Sequence, residues 1–188
     1  MKPGKPASYE DILELPESKV GEIVDGLLYV SPRPAPLHSL AESGMGSILS
    51  GPFQHGVGGP GGWWILDEPE IHVGGDVLVP DLAGWRRERM PKLPETAFFE
   101  LAPDWLCEVL SPSTERLDRS KKLGRYATMG VANAWLVNPV LQTLEVLRLV
   151  DGKWLLVSTY AGDERVRAEP FEAAEVDLLL LWEGRRET

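Results

Sequence analysis

Two acidic residues, Asp81 and Glu108, stand where the neighbouring residues predict the interior of a β-sheet. Glu108 interrupts the apolar run of residues 105–110, and Asp81 follows the apolar residues 77–79 and Pro80. An ionised carboxylate buried in such a place costs several kcal/mol unless a cation or hydrogen bonds compensate it. The sequence therefore predicts that both acids face a positive charge.

A divalent cation is one candidate for that charge. The chain between Asp81 and Glu108 is long enough for a connection that lays their two strands side by side. Adjacent strands lie about 4.8 Å apart, so both carboxylates can reach one ion. Mg²⁺ prefers oxygen ligands and is commonly held by one or two carboxylates. We therefore predict a metal site with Asp81 and Glu108 as ligands and Mg²⁺ as the cofactor, with Mn²⁺ as a substitute.

A lysine in the segment that follows offers a second positive charge. Residues 115–129 are predicted to form a helix, in which Lys122 and Tyr126 share one face and Asp118 lies one turn earlier. Phosphodiester hydrolysis benefits from a fixed cation that orients the nucleophile and offsets the charge on phosphorus. Lysine supplies that cation as a compact point charge. Lys122 is the predicted residue, and Lys121 remains the alternative.

Several motifs occur in a specific order along the chain, and their combination resembles a known family. They are Pro80-Asp81, residues 108–114, the series Asp118, Lys122 and Tyr126, residues 130–131 and 135–137, and upstream residues 22–26 and His38. Together they resemble the Uma-type restriction endonuclease family of the PD-(D/E)XK nuclease superfamily. The resemblance covers most of residues 20–160.

The resemblance implies a restriction-endonuclease-like core, a mixed β-sheet flanked by helices, and Mg²⁺-dependent cleavage of DNA. It also implies a lysine supplied from the helix, because Leu110 stands where the superfamily pattern has its lysine, two residues after the acid. Supporting roles are expected for Glu68, which has better register than Glu70, and for Glu22, Tyr126 and His38. His55 and His72 are predicted to be ordinary.

The remaining patterns predict one α/β domain over residues 1–188, with its core at about 20–160. We expect a short helix over 8–15, a hairpin turning at Asp25-Gly26, a helix over 38–49, strands over 63–66 and 70–73, one strand over 76–85, a buried strand over 105–110, a parallel strand over 132–137, a hairpin turning at Asp151-Gly152, and an apolar segment over 171–182 that packs onto the core.

Charge and composition limit the classes of function. The formal net charge is −10, which opposes approach to DNA unless basic residues are locally concentrated or acids are gathered around a cation. The chain has one cysteine and no apolar run long enough for a membrane span, so a cytoplasmic protein is expected. A homodimer is expected because cutting two strands needs two sites. The alternatives are a non-catalytic binding or assembly module with the same fold, and a phosphodiesterase acting on RNA or small nucleotides.

Overall fold

The computed structural model describes residues 6–185, so both ends of the predicted domain 1–188 lie outside the described residues. The strands are β1 (Lys19–Val24), β2 (Leu27–Pro32), β3 (Trp63–Asp67), β4 (Ile71–Val73), β5 (Asp76–Leu78), β6 (Leu82–Arg86), β7 (Trp105–Val109), β8 (Asn133–Asn138), β9 (Thr143–Val150), β10 (Lys153–Ala161), β11 (Arg165–Val166) and β12 (Val176–Asp177). The α-helices are α1 (Tyr9–Leu13), α2 (Pro36–Leu49), α3 (Glu115–Leu117) and α4 (Leu123–Met129).

Six strands form the central sheet, in the order β10-β9-β8-β7-β6-β3. β7 and β8 pair in parallel, as predicted, and the other neighbouring pairs are antiparallel. Every residue of β7 is buried, because both faces of this inner strand are covered. The predicted mixed sheet flanked by helices is confirmed.

Two apolar cores lie on the two faces of this sheet. One contains residues of α2, alternate residues of β7, and the C-terminal residues Phe171, Leu178, Leu181 and Trp182, so the predicted return of segment 171–182 onto the core is confirmed. The other contains Leu106 of β7, Tyr126 of α4, and Val24, Ile71 and Leu78 from a second sheet. Since side chains alternate along a strand, Glu108 shares this second face with Leu106.

The second sheet has four strands, in the order β2-β1-β5-β4. β1 and β2 form the predicted hairpin, and Asp25 and Gly26 both have positive φ in its turn, at 53° and 73°. A two-residue turn with positive φ at both positions matches the twist of the strands it joins. The hairpin thereby fixes Glu22, which is buried in β1.

The prediction of one continuous strand over residues 76–85 was wrong. The segment is divided into β5 and β6, which belong to different sheets. Pro80 has no N–H to donate and cannot continue an inner ladder, so the chain crosses between the sheets at residues 79–81. Asp81 consequently precedes β6 instead of ending a strand.

The predicted helix over 115–129 is confirmed as one helical run with an irregular centre. α3 is followed by a π-helical turn at Asp118–Lys122, then by α4, and Gly130 ends the run in the left-handed conformation with φ of 78°. Single π-helical turns inside helices occur frequently at functional sites. Here the turn includes the predicted site residue Lys122 and also Asp118.

The remaining helical segments frame the sheets. α1 is the short helix expected over 8–15 and has Ser8 as its N-cap, and α2 starts at Pro36, two residues earlier than expected. A π-helical turn at Ser50–Gln54 extends α2, and 3-10 turns occur at Leu178–Leu181 and Glu183–Arg185. Among residues 6–185, no helix has the length and apolar character to cross a membrane.

Candidate active site

A cleft of about 270 Å³ opens between the two sheets and the helical run. Its walls include most of the predicted site residues, contributed by separate elements: Glu22, His38, Glu68, Asp81, Glu108 and Lys122. Tyr126 is fully buried and reaches the site through Glu108. The structure therefore brings together the acids, the lysine and the histidine that the sequence nominated.

Asp81 and Glu108 lie next to each other, as expected from their strands. Leu82 pairs with Cys107 in the antiparallel β6–β7 ladder, and continuing this register places Asp81 opposite Glu108. The backbone N–H of Val109 donates to Asp81 Oδ2 at 2.6 Å. The other oxygen of Asp81, Oδ1, lies 2.8 Å from His38 Nε2.

Lys122 lies at the centre of a group that we call the lysine cluster: Glu22, Glu108, Asp118, Lys122 and Tyr126. Its Nζ is 2.9 Å from Glu22 Oε1, 2.9 Å from Glu108 Oε1 and 3.6 Å from Asp118 Oδ1. It also donates to the carbonyl oxygen of Val79 at 3.3 Å. Lys121, the alternative, is exposed, so Lys122 is the lysine that lies among the acids.

Burial and charge act in opposite directions in the lysine cluster. Burial raises the pKa of Glu108 well above its usual value although the ammonium of Lys122 opposes this. Burial by itself would lower the pKa of Lys122, but the carboxylates of Glu108 and Glu22 outweigh it and raise that pKa. Lys122 thus stays an ammonium at neutral pH. Burial and the other acids also raise the pKa of Asp118 to about 6, against the effect of Lys122.

Tyr126 is the fully buried member of the lysine cluster and contacts Glu108. Its hydroxyl donates to Glu108 Oε1 at 2.7 Å. Burial and the neighbouring charge of Glu108 raise the pKa of Tyr126 well above its ordinary value, so the phenol keeps its proton. One oxygen of Glu108 therefore receives hydrogen bonds from both Lys122 and Tyr126.

A second group, which we call the open cluster, comprises His38, Glu42 and Asp81. One ligand atom from each lies within 4.8 Å of the others. Burial, then the charges of Asp81 and Glu68, raises the pKa of Glu42 to about 7. Burial opposes the imidazolium of His38, but its hydrogen bond with Asp81 leaves the pKa of His38 raised.

Sequence reasoning did not identify Glu42. The available signal was its position four residues after His38 in a predicted helix, which places both side chains on one face. That face turns toward Asp81 because α2 packs along the central sheet, with contacts to β3 and β7.

The donors of the open cluster fit a divalent cation. Glu42 and Asp81 offer the carboxylate oxygens that Mg²⁺ and Mn²⁺ take, and the imidazole of His38 is a donor better suited to Mn²⁺ than to Mg²⁺. Glu108 does not belong to this group of three, and its Oε1 is already engaged by Lys122 and Tyr126. The predicted pairing of Asp81 with Glu108 around one ion stays a prediction.

Of the two further acids, only Glu68 lies at the cleft. It has a positive φ of 43°, in the break between β3 and β4, and its N–H donates to the carbonyl oxygen of Asp81 at 2.8 Å. Glu70 instead lies 2.7 Å from His72 Nε2, away from the cleft walls. His72 stacks on Phe98, and its role there is packing.

A family model and a solved structure of known proteins both match this chain. Residues 7–180 match the family model Uma2, described as "Putative restriction endonuclease". The fold matches a crystal structure from Anabaena variabilis, described as a "putative nuclease belonging to DUF820", with a TM-score of 0.75 and 23% sequence identity over 95% of this chain and 98% of that one. No curated protein matches this chain in sequence.

Proposed function

The chain belongs to the Uma2 family, and on that premise we propose that it is a metal-dependent endonuclease that hydrolyses phosphodiester bonds of DNA. Asp81 and Glu108 are the proposed metal-binding carboxylates, and Lys122 is the proposed catalytic cation. Glu22, Glu68, Tyr126 and His38 have supporting roles. Mg²⁺ is the proposed cofactor, with Mn²⁺ as a substitute.

One observation carries this proposal. A lysine that is 3% exposed lies among three acids, directly beside an aspartate that still faces an open cleft. A purely structural ion pair needs one acid for one lysine, and the additional carboxylates add a cost in desolvation. An excess of buried acid next to a cleft is the arrangement that a cation-dependent site requires.

When bound, a divalent cation polarises the phosphoryl group and lowers the pKa of a water molecule. The protein's own groups would act around that centre. The ammonium of Lys122 orients the attacking water and offsets developing negative charge on the phosphate. Glu22 and Glu108 hold Nζ in place, and Tyr126 holds the carboxylate of Glu108, so the lysine does not have to reorganise during the reaction.

His38 has a positioning role toward Asp81. The contact of its Nε2 with Asp81 Oδ1, together with the N–H of Val109 on Oδ2, fixes both oxygens of the carboxylate. A carboxylate held at both oxygens keeps one orientation and still has free lone pairs for a cation. His38 would thereby orient Asp81, or donate to the same cation from the imidazole.

The direct test is conversion of supercoiled plasmid to nicked and linear forms with Mg²⁺ or Mn²⁺. We expect cleavage by the wild-type protein and loss of cleavage in Asp81→Ala and Lys122→Ala. Lys121→Ala is the matched control, since that exposed neighbour should leave activity unchanged. Undiminished cleavage by both site variants would show that the nicking comes from elsewhere.

Parallel assays separate the alternative functions. RNA and small phosphodiesters offered under the same conditions would identify a different substrate class. A protein that gains stability from Mn²⁺ but cuts none of these substrates would be the non-catalytic module, because a ligand that binds only the folded state stabilises it whether or not chemistry follows. Sedimentation would test the proposed homodimer.

A further inference from the structure

The cleft contains more negative than positive side chains. Its walls include five acids and, among the described residues, two side chains with a permanent positive charge, Arg33 and Lys122. Lys122 is already engaged with three of those acids. A phosphodiester is itself an anion, so a strand that enters the cleft needs a further positive group to hold it.

Arg33 is the remaining cation of the cleft. It lies in the segment between β2 and α2, and its side chain is exposed. Its Nε and Nη2 donate to the carbonyl oxygen of Glu17 at 3.1 Å and 3.0 Å. Within residues 6–185, no carboxylate forms an ion pair with it. The other terminal nitrogen, Nη1, therefore has donors available for a ligand.

The backbone around Arg33 restricts where this guanidinium can go. Pro32 and Pro34 flank it, and proline fixes its own φ and disfavours the helical region for the residue before it. At the tip of the side chain, the two hydrogen bonds to the carbonyl oxygen of Glu17 hold the guanidinium in one orientation. An arginine held in this way loses less conformational freedom on binding a ligand than a free one does.

Hydroxyl groups line the same cleft. Ser111, Ser113 and Thr114 belong to its walls, and Ser111 Oγ lies 2.9 Å from Ser113 Oγ and 3.0 Å from Thr114 Oγ1. Each hydroxyl can turn its proton to an incoming oxygen. Most contacts between proteins and a nucleic-acid backbone come from arginine, lysine and hydroxyl side chains of this kind.

We propose that Arg33 is the substrate-anchoring residue of the cleft, and that its guanidinium binds a backbone phosphate of the nucleic-acid strand adjacent to the bond that is cut. The hydroxyls of Ser113 and Thr114 donate to the same strand. This inference rests on the proposed nuclease function and adds the group that offsets the negative charge of the cleft. Arg33 acts in binding, whereas Lys122 acts in the reaction.

The test measures binding separately from cleavage. Fluorescence anisotropy of a short fluorescein-labelled DNA duplex, with Ca²⁺ in place of Mg²⁺, gives the dissociation constant at several salt concentrations. We expect Arg33→Ala to weaken binding about tenfold, as for loss of one hydrogen bond to a charged group. Its plot of log K against log salt should be shallower by about 1, since one phosphate contact is lost.

Two further variants exclude a structural explanation. Arg33→Lys keeps the charge and should keep the wild-type salt slope while losing part of the affinity, because lysine lacks the planar donor geometry. Arg165→Ala is the matched control, an exposed arginine of β11 with acidic partners, and should bind as the wild type does. Wild-type binding and slope in Arg33→Ala would overturn the inference.

Plasmid cleavage with Mg²⁺, measured on the same samples, separates this inference from the proposed function. Cleavage by the wild-type protein together with an unchanged salt slope in Arg33→Ala would contradict the anchoring role of Arg33 and support the proposed nuclease function. Binding that depends on Arg33 without any cleavage would support the anchor and contradict the nuclease. A wild-type protein that neither binds nor cuts the duplex would overturn both.

Discussion

The lysine cluster and the open cluster bury their acids to different extents and balance their charge differently. In the lysine cluster the carboxylates are buried, with Glu108 and Asp118 each 2% exposed, and they surround a protein ammonium. In the open cluster Asp81 and Glu42 are only partly buried, and within residues 6–185 the ion pair of Asp81 is with His38. The lysine cluster contains its own cation, the ammonium of Lys122, whereas the open cluster leaves negative charge that solvent can reach.

This difference indicates that the open cluster, and not the lysine cluster, can lose and regain a cation while the protein stays folded. Removing the cation from a buried cluster leaves unpaired charge in a medium that solvates it poorly, so that cluster is tied to folding. Removing a cation from a half-exposed cluster leaves charge that water can solvate, so that cluster can exist both empty and filled. We therefore expect loss of Lys122 to affect stability most and changes at Asp81 or Glu42 to affect metal binding most, while Glu108, a proposed metal ligand inside the lysine cluster, should affect both.

The largest effect is expected from Lys122→Met. The variant should lose about 3–5 kcal/mol of unfolding free energy, because it leaves the acids of the lysine cluster without their ammonium. It should also lose cleavage. Denaturant unfolding at pH 7 measures the stability, and Lys121→Met, at an exposed position, should stay within about 0.5 kcal/mol of the wild type. Equal unfolding free energies of Lys122→Met and Lys121→Met would contradict the proposed difference between the lysine cluster and the open cluster.

Metal ions should stabilise the folded protein through Asp81. At a Mn²⁺ concentration one hundred times its dissociation constant, mass action adds about 2.7 kcal/mol. We expect thermal denaturation of the wild type to shift with Mn²⁺ and that of Asp81→Asn to stay where it is. Asp163→Asn changes an exposed aspartate outside the cleft and should respond as the wild type does. A full response in Asp81→Asn would place the ion elsewhere.

Tyr126→Phe tests the hydrogen bond between Tyr126 and Glu108 in the lysine cluster. It removes the hydrogen bond to Glu108 but keeps the ring that fills the core, so the expected loss is about 1.5–3 kcal/mol of unfolding free energy. Cleavage should fall by less than in Lys122→Met, because the ammonium stays in place. An unchanged unfolding free energy would mean that Glu108 finds another donor when the hydroxyl is absent.

The smallest effect is expected from the pH dependence of metal binding. Glu42, with its pKa at about 7, must lose a proton before it can ligate, so metal binding should strengthen as pH rises. Between pH 6 and pH 8 a single such group changes the apparent affinity about tenfold. Calorimetric titration with Mn²⁺ measures this, and Glu42→Gln should bind more weakly and lose most of the dependence. The same dependence in Glu42→Gln would assign the proton to Asp118 or His38.

The sequence predicted the acids better than it predicted their surroundings. Glu108 was recognisable because it breaks an apolar run, and burial of a charge is visible in sequence. The strand through Asp81 was misread, because the apolar pattern of residues 76–85 is continuous while the chain changes sheets at Pro80. Which sheet a strand joins depends on tertiary packing, which a local pattern does not contain.

Glu42 and Arg33 show a different limit. Both are polar residues on segments that are otherwise unremarkable, and each gains meaning only from a distant neighbour, Asp81 for Glu42 and the carbonyl of Glu17 for Arg33. By contrast, the helical spacing from Lys122 to Tyr126 favours Lys122 in the sequence while Lys121 remains the alternative, and the structure shows Lys122 buried.

The ion pair between Glu22 and Lys122 also has a consequence for the growing chain. These residues stand about one hundred positions apart, and closing such a long loop is slow and entropically costly before its contacts form. During synthesis, Glu22, His38 and Asp81 leave the ribosome well before the helical run that carries the lysine. The lysine cluster therefore cannot assemble on a partial chain that ends before residue 122, and under the proposed function a truncated product would lack cleavage activity. For the proposed nuclease, completeness of the polypeptide would then be a safeguard in itself.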